Sequence, residues 1–205
     1  MDSKIVCFGD SITAGSRTSD NPMGIGYVSM LNSMLPESQV LSGLEIINSG
    51  VNGHTVQDLL IRYQKDVVQH EPQFVTIKIG INDAYHEFIS DDKRYRLEQY
   101  ERDYQKLISL IQRELPEARI FLFTPYFIAD NREEPLYQIM SRYIQVVYGL
   151  GKEFGLAVLD IQKVFDKAVL RNQASYWAAD QIHPIPEGHR LIAYRVLEFL
   201  ENNIS

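Results

Sequence analysis

Short apolar runs alternate with longer stretches of helical spacing along the chain. Ile5 to Phe8 is one such run, and Leu44 to Asn48, Phe74 to Ile79, Arg119 to Phe123 and Leu156 to Leu159 repeat the pattern. Brief, nearly continuous apolar runs of this kind read as strands buried on both faces. Between them, apolar residues recur at steps of three and four. Val28, Leu31 and Leu35 share one face of a helix over 27–35 that Pro36 stops. Val56, Leu59, Leu60, Tyr63 and Val67 mark a helix from Thr55, a residue suited to cap it, to about His70, with Pro72 beyond. Leu97, Tyr100, Tyr104, Leu107 and Ile111 mark a long charged helix over 96–115. Residues 135–154, 164–170 and 186–202 read as three more helices. The last of these carries Leu191, Ile192, Tyr194, Val196, Leu197 and Leu200 as its apolar residues. The stretch holding Asn82, Asp83 and His86 reads as a loop, and Asp91 to Arg94 as the solvated start of the next helix.

Five strands joined by helical crossovers predict a parallel sheet covered on both faces, with right-handed connections. The chain of 205 residues suits one domain over 1–205, with no repeat or linker visible. Ligands of open α/β sheets bind beyond the C-terminal ends of the strands. Those ends are where small polar motifs cluster. Gly9-Asp10-Ser11 follows the first strand, Asn48 to Gly53 the second, and Gly80-Ile81-Asn82-Asp83 the third. A fourth cluster, Asp180 to Pro184, precedes the final helix.

Charge narrows the partners. A formal net charge of -7 offers no basic field for nucleic acid or an anionic membrane. The single cysteine, Cys7, excludes an internal disulfide and a cysteine zinc site, and reads as a small core residue. No run approaches the roughly 20 apolar residues of a membrane span, and no secretory signal is visible, so a cytoplasmic protein with no membrane anchor is the expectation. No cofactor is implied. A small molecule is the expected partner.

Acyl transfer accounts for the polar clusters. A serine hydroxyl needs a base, and a histidine base needs an acid to fix its tautomer. Ser11, His183 and Asp180 fit those three roles. The developing oxyanion needs donors, which the N–H groups of Ser11 and Gly53 and the amide of Asn82 can supply.

The four blocks, in order from Phe8 to Pro184, resemble the SGNH hydrolase superfamily of GDSL-type esterases and lipases. The resemblance implies a flavodoxin-like three-layer α/β/α sandwich and metal-free ester hydrolysis. It makes Ser11 the nucleophile, Asp180 and His183 the rest of the triad, and Ser11, Gly53 and Asn82 the oxyanion hole. Pro184 and Gly188 continue the pattern into the last helix. Gln181 departs from it, standing where many relatives have glycine, which alters the loop's shape rather than a catalytic role.

Each residue also has a plainer reading. Ser11 fits a turn or a helix N-cap. Asp10 fits a turn-holding role through backbone hydrogen bonds better than a catalytic one. Asn82 fits a left-handed loop position. Gly50 and Gly53 both fit turns, and the motif favours Gly53. Among the other histidines, His70 reads as solvated and His189 as facing outward or capping its own helix. His54 and His86 are candidates for the pocket border, as are Tyr126, Phe127 and Trp177, which lie beyond a strand or before the triad loop. A metal site at Asp180 and His183 lacks further ligands at suitable spacing. Within the superfamily, carbohydrate O-deacetylase, thioesterase and lysophospholipase activities stay open. From another class, a flavodoxin-like binding module with residues 9–15 around a phosphate stays open as well, although it lacks the P-loop lysine.

Overall fold

The computed structural model describes residues 3–90 and 92–204. Five strands form one all-parallel sheet: β1 (Lys4–Gly9), β2 (Glu45–Gly50), β3 (Phe74–Lys78), β4 (Arg119–Phe123) and β5 (Ala157–Leu159), in the order β2-β1-β3-β4-β5. Register runs Ile5 beside Ile46 and Phe74, and Gly9 beside Gly50 and Lys78. The central strands are buried on both sides, which is why their sequence shows no alternation.

The helices are α1 (Ser11–Ala14), α2 (Tyr27–Met34), α3 (Val56–Asp66), α4 (Ile81–Ile89), α5 (Leu97–Glu114), α6 (Pro135–Phe154), α7 (Ile161–Ala168) and α8 (Pro186–Ile204). On one face α2 packs against α8, and α8 against α7. On the other, α3 packs against α5, α5 against α6, and α4 against both α5 and α6. The result is a three-layer α/β/α sandwich of flavodoxin-like strand order. In that order the winding reverses between β1 and β3, so the loops leaving these two strands diverge and open a crevice.

Several boundaries differ from the sequence reading. The helix from Thr55 ends at Asp66, and Val68–His70 is a separate tight turn. Thr55 does stand at its N-cap, in a capping box in which the Asp58 carboxylate accepts from the Thr55 N–H at 2.8 Å. The helix expected over 164–170 spans Ile161–Ala168 instead, because Asp160 caps it by accepting from the Lys163 N–H at 2.8 Å. Leu170 falls outside it and is 82% exposed. Tyr194, read as an apolar contact of the last helix, is 56% exposed. The loop expected around Asn82 is the helix α4. Gly80 caps its start, where a φ of 129° and the closeness of the Tyr100 hydroxyl exclude a side chain. Of the solvated segment 91–94, Asp91 lies outside the described residues. Asp92 accepts from the Arg94 N–H at 3.0 Å and pairs with its guanidinium.

Candidate active site

Ser11 is the first residue of α1 and stands just beyond β1. Asp10 caps that short helix, its Oδ1 accepting from the Ile12 N–H at 3.0 Å. Asp10 is fully buried, and its other oxygen lies 3.5 Å from the buried Lys78 Nζ at the end of β3. Burial pushes Lys78 down, partly offset by the Asp10 charge. The ammonium also lies over the Tyr126 ring, 4.9 Å from its centroid. Glycines let α1 come close to the sheet. A side chain on Gly50 would meet the backbone of Ala14 at 2.1 Å, so Gly50 serves packing.

His183 approaches Ser11 from the loop before α8. Its Nε2 is 2.9 Å from Ser11 Oγ, and its Nδ1 is 2.6 Å from Asp180 Oδ2. The neutral tautomer that satisfies both contacts carries its proton on Nδ1, leaving Nε2 to accept from the serine hydroxyl. Asp180 Oδ1 accepts from the N–H groups of His183 at 2.7 Å and Ile182 at 3.0 Å. Burial alone would raise the Asp180 carboxyl. The His183 ring and these two N–H groups outweigh that and hold it below the usual carboxylate range.

The loop is closed by the Ile185 N–H donating to the Trp177 carbonyl at 2.9 Å. Gln181 adopts φ 65°, the left-handed region where glycine is easiest, at a cost on the order of 1 kcal/mol. Its amide donates to Glu134 at 3.1 and 3.2 Å, and its carbonyl accepts from the Ile128 N–H at 2.8 Å. Gln181 thus ties the loop carrying Asp180 and His183 to the segment after β4.

Gly53 sits in the turn after β2 with φ 76°, and Asn82 in the first turn of α4. Asn82 Nδ2 donates one hydrogen to the His54 carbonyl at 2.8 Å, leaving the other. Among the described residues, the N–H groups of Ser11 and Gly53 donate to no other backbone group or side chain. Next to Asn82, the Asp83 carboxylate accepts from the Val56 N–H at 3.1 Å, so α4 holds the Gly53 turn at two points.

Asp83 is buried, its Oδ2 has no partner, and burial pushes it up to about 7 against the opposing Val56 N–H. The folded protein then holds this proton more tightly than the unfolded chain, so stability falls as pH rises from about 4 to about 7. A D83N variant should gain on wild type across that window by up to ~1.4 kcal/mol per pH unit, then hold its gain above it. Urea unfolding at pH 5 and pH 8 checks this. An equal difference at both pH values would mean that Asp83 titrates normally.

A cavity of about 450 Å³ opens at Ser11, lined also by Gly53, Asn82, His183 and His189. His189 was missed by the sequence reading. It does not face outward or cap its own helix: Nδ1 accepts from the Tyr27 N–H at 3.2 Å, at the start of α2. Burial, with the charges of Lys78 and His183, pushes it down to about 4. It is therefore neutral at pH 7, with Nε2–H as its donor.

The other expected pocket residues lie elsewhere. His54 gives the site only its backbone carbonyl, and its ring accepts from Arg62 Nε at 3.0 Å. His86 stacks on Tyr95 with centroids 4.3 Å apart. Tyr126 is fully buried against Phe165, and Phe127 is buried with its N–H on Gln162. Trp177 lines a separate groove. Arg62, which no motif marked, donates to the Gly9 and Ser49 carbonyls, both at 2.8 Å, and fastens the ends of β1 and β2 to α3. Among the described residues, no group of three or more His, Cys, Asp or Glu side chains is placed to hold a metal.

Residues 7–191 match the model of the GDSL-like Lipase/Acylhydrolase family. The chain belongs to that family. As a GDSL-family protein it is a carboxylic ester hydrolase of the serine hydrolase type. An acetylxylan esterase of Geobacillus stearothermophilus is 31% identical over 200 residues, 93% of this chain and 90% of that one. The crystal structure of Axe2, an acetylxylan esterase from the same organism, superposes with TM-score 0.87 at 29% identity, covering 96% of this chain and 93% of that one. An alpha/beta hydrolase enzyme from the metagenome of Lake Arreo, Spain, superposes with TM-score 0.89 at 33% identity, covering 99% and 96%. Among the described residues of this GDSL-family chain, no helix is long and apolar enough to cross a membrane.

Proposed function

We propose that the protein removes short acyl groups, acetyl foremost, from the hydroxyls of a carbohydrate through an acyl-enzyme on Ser11. The observation that carries the size limit is the lining of the cavity at Ser11. Only Ile12 and Pro184 among its side chains are substantially apolar, and the rest are small or polar. A long acyl chain would find no apolar channel there, whereas an acetyl group and a polyhydroxylated alcohol match the lining. The acetylxylan esterase named above supports the carbohydrate half. Solved forms of the Geobacillus enzyme include catalytic mutants in which a serine, an aspartate and a histidine are each replaced by alanine.

In this reading Ser11 Oγ bonds to the ester carbonyl carbon as its proton passes to His183 Nε2. The oxyanion rests against the N–H groups of Ser11 and Gly53 and the free amide hydrogen of Asn82. The tetrahedral adduct then breaks its bond to the alcohol oxygen, which takes the proton from His183 and leaves. Water repeats the sequence, giving its proton to His183 and its oxygen to the acyl carbon, and Ser11 leaves reprotonated. Asp180 holds the imidazole and steadies its cationic form. The reading keeps the cytoplasm as its setting.

Acetate release from acetylated xylo-oligosaccharides, set beside hydrolysis of p-nitrophenyl esters from acetate to decanoate, tests this. The expected profile peaks at acetate and falls with chain length. Highest activity on decanoate would overturn the size argument. An Asn82→Ala enzyme should lose about 100- to 1000-fold in kcat, the range for one oxyanion donor. An unchanged kcat would remove Asn82 from the reaction.

A further inference from the structure

A second cavity, of about 460 Å³, lies between α7, α8 and the end of β5. It shares no lining residue with the cavity at Ser11. Its wall is apolar where Trp177 and Leu191 meet, and its rim carries four cations: Lys163, Lys167, Arg171 and Arg195. One carboxylate, Asp160, is present and already engaged, accepting from the Lys163 N–H at 2.8 Å and the Tyr148 hydroxyl at 2.5 Å. Arg195 pairs with Glu198 at 2.7 Å. Lys163, Lys167 and Arg171 form no ion pair among the described residues.

This concentration of positive charge runs against the protein's formal net charge of -7. Three unpaired cations held around one concavity repel each other, and an anion placed among them relieves that repulsion. The half-buried indole, packed nearly at right angles to Tyr176 with centroids 4.9 Å apart, adds apolar aromatic surface to the lining, of the kind on which the C–H face of a sugar ring rests. Its N–H is already spent on the Asn172 carbonyl at 3.1 Å, so the ring offers its apolar area rather than its donor. The groove also borders the catalytic loop. Trp177 receives the hydrogen bond that closes the loop carrying Asp180 and His183, and Gly188 packs against its carbonyl.

We propose that this groove is a second binding site, for a carboxylate-bearing sugar unit of an oligosaccharide, with Lys167 and Arg171 on the carboxylate and Trp177 under the ring. The identity of the ligand as a sugar rests on the carbohydrate reading of the active site. The anionic requirement rests on the groove alone.

Trp177 is the only tryptophan, so its emission reports the groove directly. The probe is xylotriose bearing a glucuronic acid branch, titrated into the Ser11→Ala protein so that no turnover intervenes. A saturable change in emission is expected, with neutral xylotriose binding at least about tenfold more weakly, the worth of one charge-assisted contact. A K167E/R171E variant should bind the acidic probe at least about tenfold more weakly. The same two changes in the Ser11 enzyme should leave p-nitrophenyl acetate hydrolysis as in wild type.

Equal affinity for acidic and neutral probes, no response to either, or unaltered binding by the charge-reversed variant would each overturn the proposal. Inorganic phosphate displacing the acidic probe at equal concentration would overturn the sugar carboxylate in favour of a simple anion site. If acetate release from carbohydrate fails while the acidic probe still binds, the active-site reading falls and the groove stands.

Discussion

A Ser11→Ala protein should keep the wild-type melting temperature and lose roughly 10⁶ in kcat on p-nitrophenyl acetate. Among the described residues the hydroxyl makes one hydrogen bond, with His183 Nε2 at 2.9 Å, and the fold does not hang on it. The backbone that places it is held by other groups: the Asp10 side chain on the Ile12 N–H, and Gly15 donating to the Ser11 carbonyl. The same loss is expected for His183→Ala, and little more for the double variant, because serine without its base and base without its serine are equally idle. Asp180→Asn should cost about 10⁴. It keeps the shape of the loop but no longer favours the proton on Nδ1, and it removes the charge that steadies the imidazolium. Steady-state kinetics on purified variants, with fluorophosphonate labelling as a second readout, measures all four. If Ser11→Ala retained wild-type turnover, or still took the label, the nucleophile would lie elsewhere. If the losses of Ser11→Ala and His183→Ala multiplied in the double variant, the two would not act as one unit.

Those side chains were legible in the sequence because each borders a recognisable element, Ser11 after the first strand and Asp180 and His183 before the last helix. A buried strand is nearly continuous in apolar residues, so the point where it breaks into Gly9-Asp10-Ser11 or Gly80-Ile81-Asn82 is plain. Parallel topology then brings successive strand ends to one edge. Short-range propensity misled at α4, where Asn82 and Asp83 read as loop although Ile81, Asp83 and Ala84 are all buried in that helix. Asn82 lines the cavity at Ser11 and Asp83 accepts from the Val56 N–H, while the helix forms through its packing on α5 and α6. His189 was misread because histidine is amphiphilic. Its spacing to Ile192, Val196 and Leu200 does place it on the buried stripe of α8, a signal that was available. Tyr126 and Phe127 were expected at the pocket because they leave β4. The chain there turns inward instead, under cover of α7. Lys78 and Arg62 had no motif at all, since a lysine ending a strand and an arginine in a helix look solvated until their partners across the fold are known.

Lys78 carries the second large expectation. A Lys78→Met protein should be destabilised by about 3–5 kcal/mol, the usual consequence of stranding one member of a buried ion pair. Lys78 is 1% exposed and Asp10 is fully buried, so water cannot replace the missing ammonium. In a chain of this length that corresponds to a fall of about 6–20 °C in Tm. Methionine keeps the length and apolar stem of lysine, so lost packing contributes little and the effect belongs to the charge. The partner variant separates pairing from position. Asp10→Asn still caps α1, since asparagine accepts from the Ile12 N–H as aspartate does. Combined with Lys78→Met it removes both charges together. The double variant should therefore recover most of the stability that Lys78→Met loses, giving a coupling energy at or above the upper end of the ~0.5–3 kcal/mol span of contacting residues. Thermal and urea unfolding of the wild type, the two single variants and the double variant closes the cycle. A Lys78→Met protein that melts with the wild type would mean that the buried carboxylate takes up a proton and needs no cation. Activity then decides what the pair is for. If the double variant is stable but turns over ester as slowly as Lys78→Met does, the charges hold the Ser11 turn at its working angle. If turnover returns with stability, the pair serves only the fold beneath Ser11.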